Sequence, residues 1–212
     1  MYEFITDPAA IERESMGIIE GLLQLPWNEQ EKKIVERIVH TSGDPSLESM
    51  IRIHPQAIEA GLKALKNGAS VITDVEMVRA GIAKARLAEL GGKAHCFLGD
   101  PNVPSQAKEW GITRSMAAIR ANKEYLKGSI VAIGNAPTAL VEVLDLAKDP
   151  ETKPALIVGI PVGFVGASES KEILWEKYQD IPSVTVLGSR GGSPLAATTI
   201  NALIYMAVNR EI

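Results

Sequence analysis

The sequence predicts an α/β protein of three layers, a mostly parallel sheet with helices on both faces and helices ahead of it. Three observations carry this. From residue 51 onward, short runs such as Ile130-Val-Ala-Ile133 and Ala155-Leu-Ile-Val-Gly-Ile160 are apolar at successive positions, as strands buried on both faces are. Each run is followed by a helical stretch, the alternation that builds a parallel sheet. Residues 1–48 instead hold two helical patterns and no clear strand. The 212 residues suit one domain, 1–212, divided into an N-terminal helical segment, 1–48, and an α/β sheet region, 49–212.

Asp7 and Pro8 open the first helix as N-cap and N1, and Ile11, Ile18, Ile19, Leu22 and Leu23 give it helical periodicity. Asn28 with Glu31 three residues on forms a reciprocal cap for the second helix. Its apolar positions Ile34, Val35, Ile38 and Val39 lead to Arg37 and His40 on adjacent turns, and Thr41-Ser-Gly-Asp-Pro45 is expected to end it. Ile51-Arg-Ile53 is a weak strand, and Pro55 opens a helix closing near Asn67-Gly68. Ser70-Val-Ile-Thr73 is a strand, after which Asp74 is expected to cap a helix over Val75–Arg79. Ala94–Leu98 is the next strand. A helix follows over Ser105–Trp110, and Thr113 caps a longer one to Leu126. Ile130–Ile133 leads through Gly134-Asn-Ala-Pro137 to a helix ending at Lys148. Ala155–Ile160 leads through a glycine-rich loop to a helix over Ser168–Tyr178. Val184–Leu187 is the last strand, and Ser193-Pro194 starts the final helix.

A hydrophobic content of 46% with 23% charged residues is ordinary for a globular chain, and no apolar run reaches the roughly 18 residues of a membrane span. The formal net charge of −4 and the lack of a Lys/Arg run argue against nucleic acid as a partner. Cys96 has no intrachain mate, and the N-terminus lacks a signal-peptide pattern, so a reducing, cytoplasmic setting is expected. The three histidines and one cysteine form no zinc-type pair, so no metal site is expected.

His40 is the first candidate for chemistry. An imidazole with a pKa of about 6.5 both gives and takes protons near neutral pH, and a helix end can aim it into a cleft. The competing reading is a cationic cap on the helix C-terminus. In parallel sheets ligands lie beyond the carboxyl ends of the strands, which singles out the loops after Thr73, Ile133, Ile160 and Leu187. The Gly134–Thr138 turn, with free amides and the Asn135 side chain, is a candidate carboxylate or phosphate seat; an empty tight turn is the alternative. The loop of Gly159, Gly163 and Gly166 fits neither a P-loop nor a dinucleotide fingerprint, and its apolar residues suit a large flat ligand better. Arg37, Arg114 and Arg190 would together offer bidentate donors to a ligand with several carboxylates, if the fold brings them to one cleft.

Several ordered segments resemble the precorrin-8X methylmutase family, also called cobalt-precorrin-8 methylmutases: Ile11-Glu-Arg-Glu-Ser15, Arg37-x-x-His40, Asp74-x-Glu-Met-Val78, Thr113-Arg-Ser115, Gly134-Asn-Ala-Pro-Thr-Ala-Leu140, Pro161-Val-Gly-Phe-Val-Gly-Ala167 with Glu169-Ser-Lys171, and Gly191-Gly-Ser193. The resemblance covers nearly the whole chain. It implies an isomerase of corrin biosynthesis that moves a methyl group from C-11 to C-12 of the macrocycle without consuming a methyl donor. It further implies a flavodoxin-like fold, a homodimer with the site near the subunit interface, and no cofactor, cobalt entering only within the tetrapyrrole substrate. His40 matches the family's proton donor or acceptor, and Ser15 and Arg37 match substrate-binding positions. Thr41, Arg114, Asn135 and Arg190 complete the expected substrate-binding set. Such a shift needs no nucleophile, and none with a base partner is visible. The rivals are a corrinoid carrier without catalysis and a flavodoxin-like flavin or nucleotide binder.

Overall fold

A computed structural model describes residues 5–209. Helix α1, Pro8–Leu22, begins where the Asp7 carboxylate accepts the amide N–H groups of Ala9 and Ala10. Helix α2, Glu29–Ser42, carries the complete capping box: Asn28 Oδ1 accepts from Glu31 N at 2.9 Å, and Glu31 Oε2 accepts from Asn28 N at 3.1 Å. The helix runs two residues further than expected. Ser42 Oγ donates back to Val39 O at 2.9 Å, so the polar Thr41-Ser42 pair stays helical, and the break falls at left-handed Gly43, φ 65°.

A 3₁₀ turn, Pro45–Met50, follows and buries Glu48. Its carboxylate accepts the N–H groups of Gln24 and Leu25 and the Trp27 indole N–H, pinning the α1–α2 linker to the turn. Burial opposes ionisation of Glu48, but these three donors outweigh it and hold its pKa below the usual glutamate value.

The remaining order is β1 (Ile51–Ile53), α3 (Ala57–Lys66), β2 (Val71–Thr73), α4 (Glu76–Gly81), α5 (Lys84–Glu89), β3 (Ala94–Cys96), α6 (Val103–Trp110), α7 (Arg114–Ala121), β4 (Ile130–Ile133), α8 (Pro137–Leu146), β5 (Leu156–Gly159), α9 (Ala167–Lys177), β6 (Ser183–Val186) and α10 (Ser193–Ala207). The six strands lie in the order β1-β6-β5-β4-β2-β3, all parallel except β1, which pairs antiparallel with β6. Counted without β1, the order is that of a flavodoxin-like sheet, reversing direction between β2 and β4.

Alternate residues of the central strands build two separate cores. Ile130, Ala132, Leu156 and Val158 join α2, α3 and α10 on one face; Val131, Ile133 and Ile157 join α8 and α9 on the other. The three layers follow from that alternation. Helix α10 is apolar around most of its circumference because it is wedged between the sheet and α2, α3 and α4.

Two sequence expectations need correction. The helix after Thr113 stops at Ala121, and a 3₁₀ turn, Lys123–Tyr125, brings Leu126 inward instead. Asp74 does not cap α4, which starts at Glu76 after extended Val75 without a side-chain cap. Among the described residues no helix is long and apolar enough to cross a membrane.

Candidate active site

The crevice between β2 and β4, where open sheets of this kind hold phosphates, is closed by the chain itself. Asp74, 2% exposed at the end of β2, accepts N–H groups from Gly134 at 3.0 Å, Asn135 at 2.8 Å and Ala136 at 2.7 Å. The amides expected to seat a ligand carboxylate therefore seat an internal one. Burial pushes the Asp74 carboxyl pKa up against the three N–H bonds, which favour its ionised form. The Asn135 side chain remains exposed at the rim.

The open cavity lies further along the same sheet edge, beyond β5 and β6. It holds about 360 Å³ and is lined by Thr41 and Ser42 at the end of α2 and Asp44 just beyond it, by Val162 after β5, and by Arg190 and Gly191 after β6. Its floor is built by close backbone approach. A Cβ on Gly191 would fall 2.5 Å from Ile160 O, so only glycine fits there. Gly192 N donates to Ile160 O at 2.9 Å, and Gly163 N donates to Ser189 O at 3.1 Å, joining the two loops into one wall. The Arg190 guanidinium crosses to the other wall, donating to Asp44 Oδ2 at 2.6 Å and Ser46 Oγ at 2.9 Å. The Ser46 hydroxyl and amide, with Arg190 beside them, hold the Asp44 carboxyl below its usual range.

His40 stands in the last turn of α2, exposed, one residue before the cavity wall begins at Thr41. Among the described residues its imidazole makes no hydrogen bond. The last-turn carbonyls of Val39 and His40 are met by the Gly43 N–H, so His40 makes no capping hydrogen bond, while its place in the last turn still suits a cationic charge at the helix C-terminus. Arg37, three residues earlier and half-buried, reaches Glu12 of α1 at 2.6 Å. Ser15 follows Glu12 by one helical turn, so Ser15 and Arg37 share the α1–α2 seam.

Thr41 and Arg190 thus line the cavity; His40, the residue before Thr41, is not among the lining residues, and Arg37 lies one turn back along α2. Asn135 and Arg114 lie along the same edge. Gly134 packs so closely on the start of α10 that a Cβ would come 2.7 Å from the Ser193 Cα, and Thr113 Oγ1 meets Thr138 Oγ1 at 3.0 Å beside exposed Arg114. The three arginines do not converge as free guanidinium groups: Arg37 and Arg190 are already paired within the chain. Reasoning from the sequence missed those partners, Glu12 and Asp44, and the internal role of Asp74. Glu12 and Asp44 sit inside or beside the quoted segments, which was the available signal. Among the described residues no cluster of three or more His, Cys, Asp or Glu side chains is placed to hold a metal ion.

Fold and site together define an α/β enzyme with a closed phosphate crevice and an open, partly apolar cleft beside a histidine. The chain belongs to the precorrin-8X methylmutase family, whose model matches residues 10–206, and with it to the isomerases. It is 44% identical over 185 residues to the cobalt-precorrin-8 methylmutase of Methanocaldococcus jannaschii, covering 87% of this chain and 84% of that one. It is 41% identical over 212 residues to the precorrin-8X methylmutase of Pseudomonas aeruginosa, with both chains covered in full. The solved precorrin-8X methyl mutase from Thermus thermophilus superposes with a TM-score of 0.84 at 33% identity, covering 94% of this chain and 98% of that one.

Proposed function

We propose that this chain catalyses the intramolecular C-11 to C-12 methyl shift of precorrin-8 or its cobalt form, with His40 as the proton donor and acceptor. A proton placed on the macrocycle makes it electron-poor and lets the methyl group migrate; its return to the imidazole restores the catalyst, and no atom is gained or lost. The observation that carries this reading is His40 itself, exposed and without a hydrogen bond, beside a cavity whose walls include Thr41 and Arg190. In this reading the cavity, about 360 Å³, takes one edge of the tetrapyrrole. Phe164 and Val165, 97% and 89% exposed on the loop next to Val162, offer an apolar surface for the rest of the ring or for a second protomer closing over it. Ser15, Arg37, Arg114, Asn135 and Arg190 are proposed to meet the substrate's carboxylates, Arg190 by exchanging Asp44 for one of them.

We further propose a homodimer, a cytoplasmic setting, and no bound cofactor, cobalt being present only as part of the substrate. Relatives bearing the cobalt name and the metal-free name match to similar extents, 44% against 41%. The test is therefore an anaerobic assay with both substrates, followed by absorption spectroscopy. Appearance of the product chromophore with either substrate supports the reading. A bound but unconverted tetrapyrrole identifies a carrier instead.

A further inference from the structure

Among the described residues Lys171 is the largest fully buried side chain, at 0% exposure. Its only hydrogen bond among the described residues runs from Nζ to the backbone O of Arg190, at 2.6 Å, and no carboxylate pairs with it. An unpaired ammonium is costly to bury, and a leucine or methionine would fill the same space without that cost. The group therefore serves what it touches. That is the 188–192 loop, whose other ties include the backbone bonds Gly163 N to Ser189 O and Gly192 N to Ile160 O. Arg190 lies between those ties, with its carbonyl turned inward to Lys171 and its guanidinium turned outward to Asp44 and Ser46 at the cavity. Left-handed Gly188, at φ 79°, and Gly192, at φ 125°, flank it, so side-chain packing alone restrains this stretch weakly.

We propose that Lys171 is a positioning residue for substrate binding: by fixing the Arg190 carbonyl it sets the direction in which the Arg190 guanidinium faces the cleft. This rests on the reading of Arg190 as a carboxylate-binding residue of the methylmutase site. Lys171 does not itself touch the substrate, so its effect falls on binding rather than on the chemical step.

The experiment compares wild type, Lys171→Met, Lys171→Gln, Arg190→Ala and the double variant Lys171→Met/Arg190→Ala, by saturation kinetics with both forms of precorrin-8 and by amide hydrogen exchange. Loss of one buried hydrogen bond corresponds to about a tenfold rise in KM for Lys171→Met, with kcat within about twofold. Lys171→Gln, which keeps a donor, recovers most of that rise. In the Arg190→Ala background Lys171→Met adds no further KM change, because the group it positions is gone. Exchange at the Gly163 and Gly192 amides quickens in Lys171→Met while that of Val131 and Val158 in the sheet does not. Unchanged KM and loop exchange, or a KM effect that adds in full to that of Arg190→Ala, overturns the proposal. Should Lys171→Met not fold, Lys171→Leu, which also lacks the donor, carries the same cycle. Should wild type convert neither substrate, the methylmutase reading fails, while the exchange comparison still decides whether Lys171 holds the loop.

Discussion

The Asp74 carboxylate at the end of β2 accepts the Asn135 amide N–H at 2.8 Å across the point where the sheet reverses its strand order. With Gly134 and Ala136 donating to the same group, the one crevice in which a flavodoxin-like sheet would hold a phosphate is filled by the protein's own anion. The corresponding prediction is twofold. Asp74→Ala leaves three amide donors without a partner and lowers stability by about 2–4 kcal/mol, measured by urea unfolding. Wild type takes up neither flavin nor nucleotide in equilibrium dialysis; stoichiometric binding would revive the flavin or nucleotide reading.

The Asn28–Glu31 capping box was legible because both halves lie within three residues, where local rules act. Asp74 was not. It precedes a helical run as an N-cap would, yet its acceptors are claimed by amides sixty residues away that only the β2–β4 pairing brings near. The sheet class and nearly every element were readable from apolar runs and turn residues, while the Arg190–Asp44 and Arg37–Glu12 pairs depend on tertiary placement. His40 was placed correctly at the end of α2, with the helix end itself displaced to Gly43 by the Ser42 hydroxyl.

In the proposed role of Arg190 as a carboxylate-binding residue, Asp44 competes with the substrate for it. Asp44→Asn removes that competing charge at an exposed site, where ion pairs are weak, so KM falls by no more than about fivefold. Steady-state kinetics at low ionic strength measures it, and the gain shrinks as salt is added. A rise in KM would place Asp44 among the substrate's own contacts.

Lys171 gives stability an alkaline signature. Burial lowers its pKa from 10.5 to about 8, so between those values the unfolded chain binds the proton that the folded chain has released. Stability therefore rises with pH across that window relative to Lys171→Met, which lacks the group. Thermal unfolding of both proteins from pH 7 to 10 reads the difference; parallel curves would contradict it.

One imidazole, in the last turn of α2, is proposed to perform the proton transfer. Turnover of precorrin-8 by His40→Ala, set beside tetrapyrrole binding by the same variant, tests this most directly. The expected result is a loss in kcat of at least about 100-fold with binding retained. Turnover at the wild-type rate would contradict it.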